Sequence, residues 1–345
     1  MSRNYGFLDL FVTRGTLYVR RVTAGGDAGL ADAYWRQYFE ADEIAELEEA
    51  IRVTGVIHGE TPVHVRVFHR SDDAPTICAP HGLIVYGFLC ARLHLEFWRA
   101  GYNVVSWDLP GFGQSGGAPN GPTIGIMIEL WKQMIEFASE QYGGRQVYVV
   151  GLAEDGVTSY YASANNPSVR AISLHHLLEF GDIDNVAWVN PRFMRYVQGF
   201  GISILEKLAP WATFNAEKAV PWEAIFSSPE DQAAYAIYRK DPLRIKRYNI
   251  HLARDLFKKR VPPVSFEDCR TPIQLITSEL NKIWPPHINE RTYARLGCEK
   301  ELVMLEGLDQ WSVSREFNAT YAGHVMRWLE RFPAGAAAAT AEAVA

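Results

Sequence analysis

The sequence predicts an α/β fold with a mostly parallel sheet flanked by helices, and three observations carry that prediction. Short apolar runs at residues 76–79, 103–107, 146–150, 171–174, 273–276 and 302–305 recur between helical stretches. Runs this short, without polar alternation, fit strands buried on both faces, as in a parallel sheet covered by helices. Ahead of them, residues 63–68 alternate strictly between apolar and polar, as a half-buried strand should. Finally, 48% of the 345 residues are hydrophobic, enough for a sizeable core and too many for disorder.

Taken in order, residues 1–52 read as an N-terminal extension. Within it, residues 5–22 are rich in β-branched and aromatic types and suit a strand or two, ending at Gly25-Gly26. Residues 31–52 place Tyr34, Tyr38, Phe39, Ile44 and Leu47 near one stripe with acids opposite, a helical pattern. The core is expected over 53–180 and 263–333. Between them the strand rhythm stops, and helical patterns at 229–239 and 243–257 accompany Trp188, Trp211 and Trp222. Residues 181–262 therefore read as a helical cap over the carboxyl edge of the sheet, where open α/β folds bind ligands. The Ala-rich tail, 334–345, is expected to fray.

Composition narrows the class. With 34 Lys+Arg against 40 Asp+Glu the net charge is −6, which gives nucleic acid or an anionic membrane no electrostatic attraction. Cys78, Cys90, Cys269 and Cys298 lie far apart with no C-x-x-C pair, so neither a metal site nor a redox motif is expected. No cofactor is expected either. The early run at 7–12 is broken by Asp9 and lacks a cleavage pattern, and no apolar stretch approaches the ~20 residues that span a bilayer. A cytoplasmic protein is the expectation.

Three loops carry a family resemblance. Residues 76–79 run into Pro80-His81-Gly82-Leu83; residues 103–107 lead into Asp108-Leu-Pro-Gly-Phe-Gly-Gln-Ser115; residues 146–150 end in Gly151-Leu-Ala-Glu-Asp-Gly156. In this order and spacing the chain resembles the cap-bearing α/β-hydrolase superfamily over about residues 53–332. The resemblance implies an α/β-hydrolase fold. It also implies an oxyanion loop at His81-Gly82-Leu83, and a nucleophile elbow of the form G-x-S-x-G on the strand-to-helix turn. Here Ala153 falls at the serine position and Asp155 at the second glycine. By the same resemblance Asn281 falls at the acid position and Gln310 at the histidine position. Neither amide exchanges protons near neutral pH.

If the chemistry has moved, a shifted frame would seat Glu154 at the elbow as a carboxylate nucleophile. Asp155, if buried near the pocket, could serve as acid or base. Their bland readings are helix-start carboxylates favoured by the helix dipole. His81 reads as a structural hydrogen-bonder. Of His175 and His176, which follow the run 171–174, at most one should face a ligand, and Glu179 is close enough in sequence to pair with either. The backbone amides of Leu83 and Glu154 would still converge on one spot if the elbow geometry holds. Trp284 and Trp311 flank the substituted positions and offer aromatic walls, with tryptophans of the cap.

The resulting expectation is a non-hydrolytic enzyme of lyase, isomerase or cyclase type, acting on a hydrophobic carbonyl-bearing small molecule. Its candidate catalytic residues are Asp155, Glu154, Gln310 and Asn281. His81, Gly82, Leu83, Ala153, Trp284, Trp311 and His175 are the binding candidates. Two other readings stand beside it: a catalytically silent ligand-binding or partner protein, and a hydrolase using Glu154 or Asp155 on an ester, epoxide or haloalkane. A homodimer through the N-terminal segment is a further expectation; nucleic acid and membrane are not expected partners.

Overall fold

The structure is a computed structural model, and it describes residues 8–13, 16–21, 35–186, 189, 191–215, 228–308 and 311–335. One ten-stranded sheet organises them, in the order β1-β2-β3-β4-β6-β5-β7-β8-β11-β12. The antiparallel arm consists of β1 (Leu8–Thr13), β2 (Thr16–Arg21), β3 (Ile51–His58) and β4 (Thr61–Phe68). From β6 (Asn103–Trp107) onward the pairing is parallel. It runs through β5 (Thr76–Cys78), β7 (Val147–Leu152), β8 (Val169–His175), β11 (Ile273–Ser278) and β12 (Lys300–Leu305).

The central strands are buried along their whole length, as helices on both faces require. These helices are α2 (Ala91–Arg99), α3 (Ile124–Gln141), α4 (Glu154–Ser163), α8 (Pro286–Arg295) and α9 (Arg315–Leu329). Trp107 of β6 meets Trp131 of α3 edge-on at 4.7 Å in the core. The chain steps from β5 outward to β6 and then back across β5 to β7. That reversal opens a crevice at the carboxyl ends of β5 and β7, the place where such sheets bind ligands.

Several boundaries differ from the sequence pattern. The helix expected over 31–52 is a 3-10 turn, Trp35–Tyr38, followed by α1 (Ala41–Ala50). The Glu43 carboxylate accepts the Glu40 N–H and fixes that start, while Ile51 already belongs to β3. In the cap region α5 (Phe193–Leu208) and α6 (Pro229–Tyr238) form. The helix expected over 243–257 is shorter. Asp241 ties down the Leu243 N–H in a turn, and β10 (Arg247–Asn249) pairs with β9 (Thr213–Asn215). The helix α7 then starts at Ile250 under an Asn249 cap and ends at Phe257.

The N-terminal extension is tied to the core by an ion pair. Arg92 of α2 meets Glu43 of α1 through Nε–Oε1 at 2.6 Å and Nη2–Oε2 at 2.8 Å. Its remaining donors go to the carbonyls of Tyr38 and Val313. Burial by itself would raise the Glu43 pKa; the Arg92 guanidinium overrides that and holds the carboxyl below its ordinary value. This single side chain thus joins the extension, α2 and the loop before α9. Replacing Arg92 with Leu should cost about 3 kcal/mol in urea unfolding, because Glu43 would stay buried with only the Glu40 N–H and Arg315, at 3.4 Å, to offset its charge. A loss under about 1 kcal/mol would show that the pair is not a tether.

Candidate active site

The turn from β7 into α4 sets the floor of the crevice. Ala153 there has φ 54° and ψ −130°, a region that side-chain-bearing residues avoid. Two glycines make the turn possible by close packing rather than by their own dihedrals. A Cβ on Gly151 would lie 2.4 Å from Ser159 Oγ, and one on Gly156 would lie 2.5 Å from the His176 carbonyl oxygen. The strain falls on Ala153 and not on Glu154, which begins α4 as an ordinary helical residue. The shifted frame with Glu154 at the bend is therefore corrected on the backbone; the Glu154 side chain lies outside the described set.

Above this turn is a cavity of about 120 Å³. Gly82 follows β5, Leu152 and Ala153 end β7, and His175 ends β8; all four line it. Leu152 and His175 are register partners across the β7–β8 pair, which places the imidazole beside the elbow. The walls are mainly apolar, with Ile84, Val85 and Leu89 on one side and Trp311 and Val313 on another. The roof comes from two segments, the expected cap and the N-terminal extension, and only the second was not connected to the site by the sequence. Tyr38 and Phe39 belong to the N-terminal extension, and Ala234, Tyr235 and Tyr238 belong to α6.

Acidic side chains hold that roof down. The Asp241 carboxylate accepts the hydroxyls of Tyr86 at 2.8 Å and Tyr38 at 3.0 Å. Asp231, at the start of α6, accepts the Val313 N–H and the Ser312 hydroxyl. Cys90 also lines the cavity, and burial pushes its thiol up to about 12. It is therefore uncharged and unreactive near neutrality.

His175 is the polar group of this cavity whose ring keeps a nitrogen, Nε2, without a hydrogen-bond partner among the described residues. It is buried, and desolvation lowers its pKa to about 3. Trp311 and Tyr321 pack on the ring at 5.6 and 5.7 Å. The next residue, His176, has a φ of 80°; its ring packs 4.1 Å from that of His175 but does not line the cavity. Amide nitrogens of Asn281 and Asn289 meet its two ring nitrogens at 3.0 and 2.7 Å. Burial, together with the neighbouring His175, drives its pKa well down and keeps the ring neutral.

The remaining candidates separate clearly. Asp155 is buried but points away from the cavity: its Oδ1 accepts the Trp131 indole N–H at 2.7 Å and the Thr158 hydroxyl at 3.0 Å. It is a structural carboxylate linking α4 to α3. Asn281 uses its oxygen to accept the Ile283 and Trp284 N–H groups, closing a turn, and its nitrogen to meet His176. His81 accepts the Leu109 N–H through Nε2 and donates through Nδ1 to the Gly82 carbonyl, a loop brace. Leu83 turns its carbonyl to the Tyr248 hydroxyl, and Gly82 and Ile84 take the cavity face.

Trp284 packs on His176 at 5.3 Å, outside the lining, while Trp311 is a wall. Trp211 is mostly exposed and is not a wall; Trp188, Trp222 and Gln310 lie outside the described residues. Glu179 pairs with Arg295 rather than with either histidine. Among the described residues no group of three or more His, Cys, Asp or Glu side chains could hold a metal ion, and no helix is long and apolar enough to cross a membrane.

The model of the serine aminopeptidase S33 family of hydrolases matches residues 72–309. The chain belongs to this family. Its members carry the α/β-hydrolase fold, and the mostly parallel sheet flanked by helices is that fold. Among solved structures it is similar to a monoacylglycerol lipase from Paleococcus ferrophilus, at 18% identity and a TM-score of 0.61, covering 77% of this chain and 98% of that one. It is similar to a soluble variant of a Saccharomyces cerevisiae monoglyceride lipase in complex with a substrate analogue, at 13% identity and 0.66, covering 82% and 96%. An epoxide hydrolase from Vigna radiata follows at 16% and 0.54, covering 82% and 99%. At these identities the likeness shows the fold. No curated protein matches the chain in sequence.

Two outcomes follow from the site geometry. Replacing Asp155 with Ala should lower stability by about 1–3 kcal/mol, since the buried Trp131 N–H loses its acceptor, while ligand binding in the cavity stays unchanged. An Asp155→Ala protein of wild-type stability that no longer binds would contradict the structural role. The buried histidines also set an acid limit. The folded-state pKa values of His94 and His175 are depressed to about 3 from an ordinary 6.5, chiefly by desolvation. The unfolded chain therefore binds more protons between about pH 3 and 6.5, and stability falls as the pH is lowered through that window. Each such ring contributes a slope approaching about 1.4 kcal/mol per pH unit. Urea unfolding at pH 5, 6 and 7 should show the fall, and His94→Leu should flatten it.

Proposed function

We propose that the chain is a hydrolase for a small hydrophobic acyl compound, an ester or thioester, in which water attacks directly and neutral His175 accepts its proton. The observation that carries this is the placement of His175, a buried neutral imidazole at the end of β8, in the lining of an apolar cavity beside the Ala153 turn. The family and the named structural relatives supply the reaction class. We read Ala153 as standing where the family places its nucleophile, so its methyl group shapes the floor and forms no acyl-enzyme. Residue 154 is the first of α4, and its N–H has no partner within the helix. Together with the dipole of α4 it favours the oxyanion that forms as water adds to the carbonyl carbon. The bond from the acyl carbon to the leaving oxygen or sulfur then breaks, and the proton taken by His175 passes to the leaving alkoxide or thiolate.

The burial that keeps His175 neutral also makes it a weak base, so turnover is slow and rises little with pH. Over a panel of short p-nitrophenyl esters, alkyl thioesters and epoxides, the acyl substrates should turn over with a rate flat from about pH 4.5 to 8. His175→Gln should lower that rate by about 100-fold or more while leaving KM within a few-fold. If Glu154→Gln abolishes turnover and His175→Gln does not, the carboxylate reading at Glu154 replaces this one.

A second reading, without hydrolysis, is favoured by the same neutral imidazole. As a hydrogen-bond donor it would polarise a ligand carbonyl for a lyase, isomerase or cyclase step, and a methyl-bearing elbow suits a reaction that needs no nucleophile. The named relatives, all hydrolases, lend it no support. Saturable binding of the acyl panel with no turnover of any member would favour it, or a silent binding protein, over hydrolysis.

A further inference from the structure

The helix α5 is amphipathic in the inverted sense. Its inner stripe, packed on α7, is small or charged. Gly199 lets the helices approach so closely that a Cβ there would lie 2.8 Å from the Phe257 ring. Arg195 pairs with Asp184, and Glu206 meets Arg254 and His251. The outer face is apolar, and among the described residues nothing covers it: Phe193 is 62% exposed, Phe200 70%, Leu208 74%, and Trp211 just beyond the helix 79%. Val197 and Ile204 lie between them, also exposed. A helix apolar on its outer face is ordinarily buried there.

The extent of the patch decides what covers it. Taking ~150–250 Å² for an aromatic side chain, the exposed aromatics and aliphatics of this helix amount to roughly 900 Å². Monomers rarely expose patches beyond about 300–600 Å², whereas a stable interface removes about 800 Å² from each partner. The pattern favours a helix as the partner. Phe193, Val197, Phe200 and Ile204 are spaced four, three and four residues apart, the a/d seam of two packed helices. The charge pattern argues against a lipid surface, because Lys207 is the one cation among the exposed positions of the helix and the chain carries a net charge of −6.

We propose that α5 is the contact of a two-fold homodimer, with the helices of two copies crossing at Phe200. An isologous pair presents the same apolar seam on both sides, so one stripe is enough to complete the interface. The N-terminal segment, where the sequence also suggests a dimer contact, contributes Tyr38 and Phe39 to the cavity lining.

Sedimentation velocity on the full chain tests this. The wild type should sediment as twice 38.9 kDa at low micromolar concentration. Val197→Glu/Phe200→Glu should weaken association by about 30-fold or more with an unchanged melting temperature. Phe200→Ser serves as the variant if the double glutamate lowers that temperature. Flotation with phosphatidylcholine vesicles, with and without phosphatidylglycerol, runs in parallel. A wild type that stays monomeric to roughly 100 µM overturns the proposal, as does a dimer that survives the substitutions or a monomer that floats with vesicles.

Discussion

Everything in the site depends on one backbone constraint, the bend at Ala153. A left-handed residue between β7 and α4 costs about 1–3 kcal/mol, and the structure keeps it although the side chain there is only a methyl group. The cost is borne by contacts that leave no alternative. Gly151 and Gly156 are pressed against Ser159 and the His176 carbonyl, and α4 is tied to α3 by the Asp155–Trp131 hydrogen bond. The bend aims the start of α4 at the crevice where the strand order reverses. The register of β8 then sets His175 beside it.

Around that floor the chain has built a roof from distant segments. Tyr38 and Phe39 come from the extension and Tyr235 and Tyr238 from the cap, held by Arg92–Glu43, Asp241 and Asp231. Each anchor joins elements far apart in sequence, so the cavity exists only when the extension, cap and core have all docked. Its polarity is correspondingly low. His176, Asn281 and His81 have been drawn into loop-bracing hydrogen bonds, leaving His175 as the histidine of the lining.

Much of the fold was legible because it rests on local pattern. The apolar runs at 103–107 and 273–276 mark buried strands, and the three glycine-bearing loops fall at strand ends in the order the family uses. What the pattern could not reveal was direction. Asp155 and Ala153 are two residues apart, yet the turn sends one into the core and the other into the cavity. His175 and His176 are adjacent with rings 4.1 Å apart, yet only His175 lines the cavity. Asn281 sits at the position the family resemblance gave it but closes a turn instead of facing the site. The contribution of Tyr38 and Phe39 left no local signal, since an aromatic stripe on a helix start reads as ordinary packing. The expectation of non-hydrolytic chemistry rests on counting substituted side chains, whereas the family to which the chain belongs is one of hydrolases.

The central claim is that a neutral, partner-seeking His175 beside the Ala153 bend is the working group of the cavity. Nitrogen-15 NMR of histidine-labelled protein, with His175→Gln for assignment, tests it most directly. The account predicts a His175 ring that stays neutral from pH 5 to 8 and whose Nε2 resonance shifts when a short-chain acyl ester is added. A ring that titrates near 6.5, or one that ignores every acyl ligand the protein binds, would contradict it.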